Sequence, residues 1–231
     1  GWYHYSRSVP HVHQHPRAGY QNGKLCRFWG LVGGAPKERR EPRDSDALKH
    51  FASLSHLGKR QPEEADALLL GGGYPELCAR QLSENVSMRN SIREAIENGM
   101  PSVAECGGFM YLHESMMDEE GENWPMAGII TGSCHNRGKL VRFGYVNVTE
   151  QTSHFLAGKP VRAHEFHYYD SDNNGESCVA VKPVSGTSWT CIHEDGRNWW
   201  GYPHLYYPSN PAFVEHFVQA ARLYHRERNA K

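Results

Sequence analysis

The pattern that most narrows the fold of this chain occurs twice. Ala67-Leu68-Leu69-Leu70 is a short, wholly apolar run that ends in Gly71-Gly72-Gly73, and Ser102-Val103-Ala104-Glu105 ends in Cys106-Gly107-Gly108. An apolar run without alternation suits a strand buried on both faces, as in a parallel sheet. The glycines that follow let the backbone turn tightly. Beyond the first turn, Leu77, Leu82, Met88, Ile92 and Ile96 predict helix over 76–98, in two consecutive pieces, with Gly99 as C-terminal cap and Pro101 beyond it. Beyond the second, Phe109-Met110-Tyr111-Leu112 continue as helix. Two strand–turn–helix units in succession predict an α/β fold with a mostly parallel sheet and helices on its faces.

Downstream, residues 126–185 hold short alternating runs such as Tyr145-Val146-Asn147-Val148 and Cys178-Val179-Ala180-Val181, which predict strands of an antiparallel extension. Asn210-Pro211 opens a last helix, with Asn as N-cap and Pro at the first position, and Phe213, Phe217, Ala221 and Tyr224 line one face of it. Residues 1–23, rich in His, Pro, Gly and Tyr, have neither period and read as a linker or N-terminal arm ahead of a domain over 24–231. Residues 24–32 and 48–57 are candidate strands, whereas 37–46 is too polar for a good helix. His11, His13 and His15 alternate, but no Cys or carboxylate stands near them, so no metal site is expected.

Composition removes several function classes. Lys and Arg number 25 against 26 Asp and Glu, so there is no electrostatic footprint for nucleic acid or an anionic membrane. No run of about 18 apolar residues offers a membrane span, and the N-terminus lacks the order of a signal peptide. The Gly1 start suggests a fragment or a processed form. Six scattered cysteines without a Cys-x-x-Cys pair read as reduced thiols, which points to the cytoplasm. The glycosylation sequons at Asn85 and Asn147 then read as chance matches.

Cys106 is the strongest candidate for chemistry. A residue between a strand and a Gly-Gly turn resembles a nucleophile elbow, which exposes the nucleophile above the sheet. A helix N-terminus favours thiolate over thiol, and the Gly107 N–H can face a developing oxyanion. The plainer alternative is a buried structural cysteine at a strand end. The Gly71–Gly73 loop, brought beside the elbow by parallel strand order, could supply the other half of an oxyanion hole; otherwise it is an ordinary turn. It is no ATP-binding loop, since Gly-x-x-x-x-Gly-Lys-Ser/Thr occurs nowhere. A thiol nucleophile needs a base. With 15 histidines, among them His164, His167 and His204, the sequence alone does not choose one. His164-Glu165-Phe166-His167 is discounted as a metal site, because neighbours in a strand face opposite ways and no further ligand is evident.

Taken in order, Gly71-Gly72-Gly73-Tyr74-Pro75-Glu76, Ala104-Glu105-Cys106-Gly107-Gly108-Phe109-Met110-Tyr111-Leu112, Phe143-Gly144-Tyr145 and His164-Glu165-Phe166-His167-Tyr168 resemble the glutaminase domain of the cobyrinate and hydrogenobyrinate a,c-diamide synthases. The resemblance covers roughly residues 65–226. It implies a three-layer, flavodoxin-like class I glutamine amidotransferase fold. It further implies Cys106 as the nucleophile on glutamine, His204 as the residue that raises its nucleophilicity, and Gly72, Gly73 and Gly107 as the oxyanion and substrate-binding backbone. No metal or cofactor is implied for this domain. ATP and magnesium belong to a synthetase domain, absent from this chain, that would amidate the a and c carboxylates of a corrinoid acceptor with the ammonia released.

Many class I glutaminases carry Glu two residues after the catalytic His. Here that position is Tyr206, so the resemblance implies a Cys–His dyad or a third group from elsewhere. Two other functions stay open at this point: a stand-alone glutaminase subunit of another ligase, such as one amidating lipid II, and a non-catalytic docking domain.

Overall fold

A computed structural model describes residues 51–52 and 65–230. The expected arm over 1–23, the strand over 24–32, the polar segment 37–46 and most of the strand over 48–57 lie outside the described residues. In chain order the elements are β1 (Phe51–Ala52), β2 (Ala67–Leu70), a 3-10 turn (Pro75–Cys78), α1 (Ala79–Glu84), α2 (Val86–Glu97), β3 (Ser102–Glu105) and α3 (Gly107–Tyr111). There follow β4 (His113–Met117), β5 (Asn123–Pro125), β6 (Ile130–Asn136), β7 (Arg142–Glu150), β8 (Val161–His167) and β9 (Tyr169–Ser171). The chain closes with β10 (Cys178–Val181), β11 (Ser188–Cys191), β12 (His193–Glu194), β13 (Asn198–Gly201), β14 (His204–Leu205), a second 3-10 turn (Tyr207–Ser209) and α4 (Ala212–Asn229).

The central sheet has the order β1-β2-β3-β13-β12. Its first four strands run parallel, and β12 pairs antiparallel with β13. Side chains of β2 and β3 alternate between two cores, as the pleat requires. Leu68, Leu70 and Ala104 join Met88, Ile92 and Phe109 on one side, while Ala67 and Val103 join Trp199, Phe155 and Phe213 on the other. This is the three-layer arrangement expected from the apolar runs. The second core is dense in aromatics: Phe155 lies 5.6 Å from Trp199 and 5.1 Å from Phe213 between ring centroids. Each such buried side chain contributes about 1.5–3 kcal/mol.

The antiparallel strands form two further sheets rather than one extension. One has the order β11-β10-β7-β8-β14 and the other β5-β4-β6-β9, the latter with one parallel pair, β4 with β6. Two helix boundaries have local causes. The break between α1 and α2 falls at Asn85, whose side chain accepts from the Met88 N–H at 3.2 Å and so caps α2. α4 begins at Ala212, one residue later than expected, with Pro211 in the cap position. Asn210 is extended at φ −149°, and its side-chain amide donates to the Leu156 and Lys159 carbonyls, both at 3.0 Å. Its Oδ1 still accepts from the Ala212 N–H at 3.3 Å. Phe213, Phe217 and Ala221 bury the face foreseen for α4 in the second core, whereas Tyr224 packs, partly buried, against the first.

Candidate active site

Cys106 adopts φ 49°, ψ −107°, a region costly for any side chain. Such strain costs about 1–3 kcal/mol and persists only where the surroundings impose it. Here they do. The Cys106 N–H donates to the Gly201 carbonyl at 2.8 Å, and its own carbonyl accepts from the Met110 N–H at 2.9 Å. Gly108 lets α3 press against the end of β2: a Cβ there would lie 2.2 Å from the Leu70 carbonyl oxygen. The turn is the strand–elbow–helix arrangement anticipated from Glu105-Cys106-Gly107-Gly108. Because α3 has only five residues, its contribution at Cys106 is the free N–H groups of a first turn rather than a long dipole.

His204 reaches the same place by a long-range route. β13 runs parallel to β3 with Gly201 opposite Glu105. The chain then turns through Tyr202-Pro203 into β14, where His204 pairs with His164 of β8. His204 lies near enough to Cys106 for the thiol to favour its charged form, and its Nδ1 lies 3.7 Å from Glu105 Oε2. Burial works against a charged imidazole, but hydrogen bonds and charge from Cys106 and Glu105 outweigh it and push His204 from the ordinary 6.5 up to about 10. Glu105 is itself held in place: its Oε1 accepts from the Tyr207 hydroxyl at 2.7 Å and the Leu205 N–H at 3.3 Å.

The carboxylate beside His204 thus comes from the residue before Cys106 and not from one that follows the histidine. At Tyr206, two residues after His204, the backbone N–H donates to the Arg162 carbonyl at 2.8 Å. Sequence reading passed over Glu105. The one available signal was a carboxylate at the last position of an otherwise buried strand, where the Cys106 elbow begins.

Cys106 opens into a cavity of about 580 Å³ that is also lined by Gly73, Glu76, Met110, His167 and Tyr169. Gly73 therefore shares the cavity with the thiol, while Gly107 is buried at the first position of α3. Gly72 lies against the imidazole: a Cβ there would stand 2.3 Å from His204 Cε1. Burial pushes the Glu76 carboxyl up to about 7, with Glu119 adding to the shift and a backbone hydrogen bond opposing it. A larger hollow, about 780 Å³, runs along α4 beside Arg197, His216 and Arg226, and no thiol or hydroxyl of the described residues lines it.

On β8 the pleat separates the remaining candidates. Glu165 and His167 are buried, and His164 is half-buried on the other face beside His204. Burial, with His204 and Lys182 nearby, lowers the His164 pKa. No group of three His, Cys, Asp or Glu among the described residues could hold a metal ion. Cys78, Cys106, Cys134, Cys178 and Cys191 are buried, and no described helix is long and apolar enough to cross a membrane.

The profile of a family described as "CobB/CobQ-like glutamine amidotransferase domain" matches residues 44–211. Among curated proteins, the chain is 40% identical over 153 residues to a cobyrinate a,c-diamide synthase of Caldanaerobacter subterraneus subsp. tengcongensis, which covers 63% of this chain and 34% of the relative. It is 36% identical over 179 residues to the Salmonella typhimurium protein of the same name, covering 75% and 39%. It is 33% identical over 189 residues to that of Priestia megaterium, covering 78% and 40%. The chain thus spans well under half the length of these relatives. Among solved structures, a glutamine amidotransferase crystal structure superposes with a TM-score of 0.50 at 16% identity, covering 69% of this chain and 81% of the other, which supports the fold.

Proposed function

The chain belongs to the CobB/CobQ-like glutamine amidotransferase family, and from that premise we propose that it hydrolyses glutamine at Cys106 and supplies the ammonia to an ATP-dependent amidation. The observation that carries the reading is one constellation: a thiol on a strained elbow, an imidazole beside it backed by Glu105, and a cavity at the thiol. Cys106 Sγ, its proton already held on His204, attacks the side-chain carbonyl carbon of glutamine as the thiolate. The N–H groups of Gly73 and Gly107 receive the oxyanion. The C–N bond breaks as His204 returns the proton to the leaving nitrogen, so ammonia departs and a thioester remains. Water attacks the thioester with His204 as base, which frees glutamate and restores the thiol. Gly72 keeps clear the space that the imidazole occupies.

The names of the relatives point to the a and c carboxylates of cobyrinate as the acceptor, on the pathway to cobalamin. Activation of those carboxylates falls to a synthetase domain or subunit, which the greater length of the relatives accommodates. ATP and magnesium belong to that partner, since this chain has no Gly-x-x-x-x-Gly-Lys-Ser/Thr loop, and no step of glutamine hydrolysis uses them. The buried free thiols suit a reducing, cytoplasmic setting.

The test is covalent trapping. Incubation with diazo-oxonorleucine, a glutamine-analogue electrophile, should label Cys106 alone, as mapped by mass spectrometry. Glutamine should block the labelling and His204→Ala should slow it. Labelling spread evenly over all cysteines, or none with a synthetase present, would refute the reading.

A further inference from the structure

One short segment of chain grips Glu105 from two sides. His204 faces its Oε2, while the Leu205 N–H and the Tyr207 hydroxyl both donate to its Oε1, at 3.3 and 2.7 Å. Burial, with Glu105 adding to it, holds the Tyr207 phenol well above its ordinary pKa, so the hydroxyl keeps its hydrogen and remains a donor at neutral pH. The ring that carries this hydroxyl is fixed as well. It stacks on Phe213 at 5.4 Å between centroids with planes 29° apart. Phe213 is itself buried against Trp199 and Phe155 in the second core. Tyr207 opens the 3-10 turn that leads into α4, so core packing sets where its hydroxyl stands.

The last side-chain torsion of a glutamate is soft, and a carboxylate turns about it at little cost. With Oε1 held by two donors, Oε2 is left facing His204 Nδ1 at 3.7 Å. Of the two, the hydroxyl makes the shorter contact. We propose that Tyr207 is a positioning residue for glutamine hydrolysis: its hydroxyl fixes the rotation of the Glu105 carboxylate and, through it, the support that His204 receives. The inference rests on the glutaminase reading and adds to it a residue that acts only through Glu105. It carries a consequence that packing alone lacks. The hydroxyl must cease to matter once Glu105 has no charge to aim.

The experiment measures how the labelling of Cys106 saturates with diazo-oxonorleucine, on the full chain at pH 7.5. It yields a maximal labelling rate and a half-saturating concentration. Tyr207→Phe keeps the ring on Phe213 and removes the hydroxyl. Its maximal rate should fall about five- to tenfold, within the range of acid–base contributions. Its half-saturating concentration should stay within about twofold, because the hydroxyl meets no substrate. In a Glu105→Gln chain the same change should lower the rate by less than about twofold, as expected of residues that act as one unit. 4-Aminophenylalanine in place of Tyr207 restores a donor at the ring's end and should recover most of the rate. 4-Methylphenylalanine fills the same space without a donor and should behave as Tyr207→Phe. If thermal melting shows that Tyr207→Phe does not fold, the 4-methylphenylalanine chain carries the same prediction. A maximal rate that survives loss of the hydroxyl, an equal loss in the Glu105→Gln chain, or a change confined to half-saturation overturns the proposal while leaving the glutaminase reading intact. A wild-type chain unlabelled at Cys106 even with a synthetase present overturns that reading, and this inference with it.

Discussion

Glu105 Oε2 lies 3.7 Å from His204 Nδ1, so the residue directly before Cys106 supports the imidazole near the thiol. The two come from strands far apart in sequence and meet because β13 lies beside β3 in the central sheet. With Tyr207 and the Leu205 N–H on its other oxygen, Glu105 ties the β14 segment to the elbow. A carboxylate in this position orients the ring and stabilises its protonated form.

Replacing Glu105 with Gln removes that charge and keeps the shape. Diazo-oxonorleucine labelling of Cys106 should slow about tenfold or more, given the size of acid–base contributions generally. The His204 pKa, now about 10, should fall toward 6.5. Because the folded value lies above the ordinary one, the stability linked to His204 is full below pH 6.5 and is lost as pH rises toward 10. Melting temperatures between pH 6 and 10 should therefore decline less steeply in Glu105→Gln. An equally steep decline would show that Glu105 does not hold the proton on His204.

Two glycines near the elbow should fail in different ways when changed to Ala. At Gly108 the new Cβ would meet the Leu70 carbonyl at 2.2 Å, and backbone cannot swing aside. Gly108→Ala should cost at least about 1–3 kcal/mol, seen as a lower urea midpoint. At Gly72 the new Cβ would meet only the edge of the His204 ring, at 2.3 Å, and a side chain can move. Gly72→Ala should keep most of its stability yet slow Cys106 labelling up to about a hundredfold, since small displacements of catalytic groups are expensive. Equal stability losses in both would contradict the distinction.

These contrasts also mark what was legible in the sequence. β2, β3 and the elbow follow from local rules, an apolar run closed by glycine, and Gly108 needs its glycine for the close approach such a turn implies. α2 and the apolar face of α4 were legible from helical spacing, with only the cap at Asn210 off by one residue. Glu105 was not legible as a partner of His204, because their proximity depends on the register of Gly201 against Glu105 across a parallel pair. Nor was Asn198-Trp199-Trp200-Gly201, which pairs with β3 as a central strand. It is short and preceded by charges, and its burial comes from neighbours distant in sequence. The choice of His204 among 15 histidines came from resemblance, and β14 is too short to announce itself.

The cysteines offer a test of accessibility. Burial raises the thiol pKa of Cys191 to about 12 and pushes Cys134 and Cys178 up as well. Thiols so shifted are poor nucleophiles near neutrality. Cys134 and Cys178 are also fully enclosed, whereas Cys106 opens to a cavity. Iodoacetamide at pH 8 should modify Cys106 well before Cys134, Cys178 and Cys191 in the folded chain, with the differences vanishing in denaturant. Tryptic mapping over a time course gives the order. Early modification of Cys178 or Cys191 would mean that the β10–β11 edge opens.

His113 tests the second core-facing imidazole. It is fully buried, with Nδ1 at 2.9 Å from the Phe109 carbonyl and Nε2 at 2.6 Å from the Ser171 hydroxyl. Burial pushes its pKa from 6.5 down to about 4, against the pull of backbone hydrogen bonds and with help from His193. Between these values the unfolded chain binds a proton that the folded chain refuses, so stability falls as pH drops from 6.5 to 4. His167 acts the same way, while Glu76 and Glu165, each pushed up to about 7 by burial, act oppositely over 4.5 to 7. The net slope is therefore a sum, and the informative quantity is the difference between wild type and His113→Asn. The variant should start less stable, having lost packing, but its urea-derived stability should fall with acid by about 1.4 kcal/mol less per pH unit between pH 6 and 4.5. His204 does not disturb this window, because its own proton is lost only between 6.5 and 10. Parallel curves for the two proteins would mean that His113 is already charged in the fold, and that the Phe109 and Ser171 contacts hold an imidazolium.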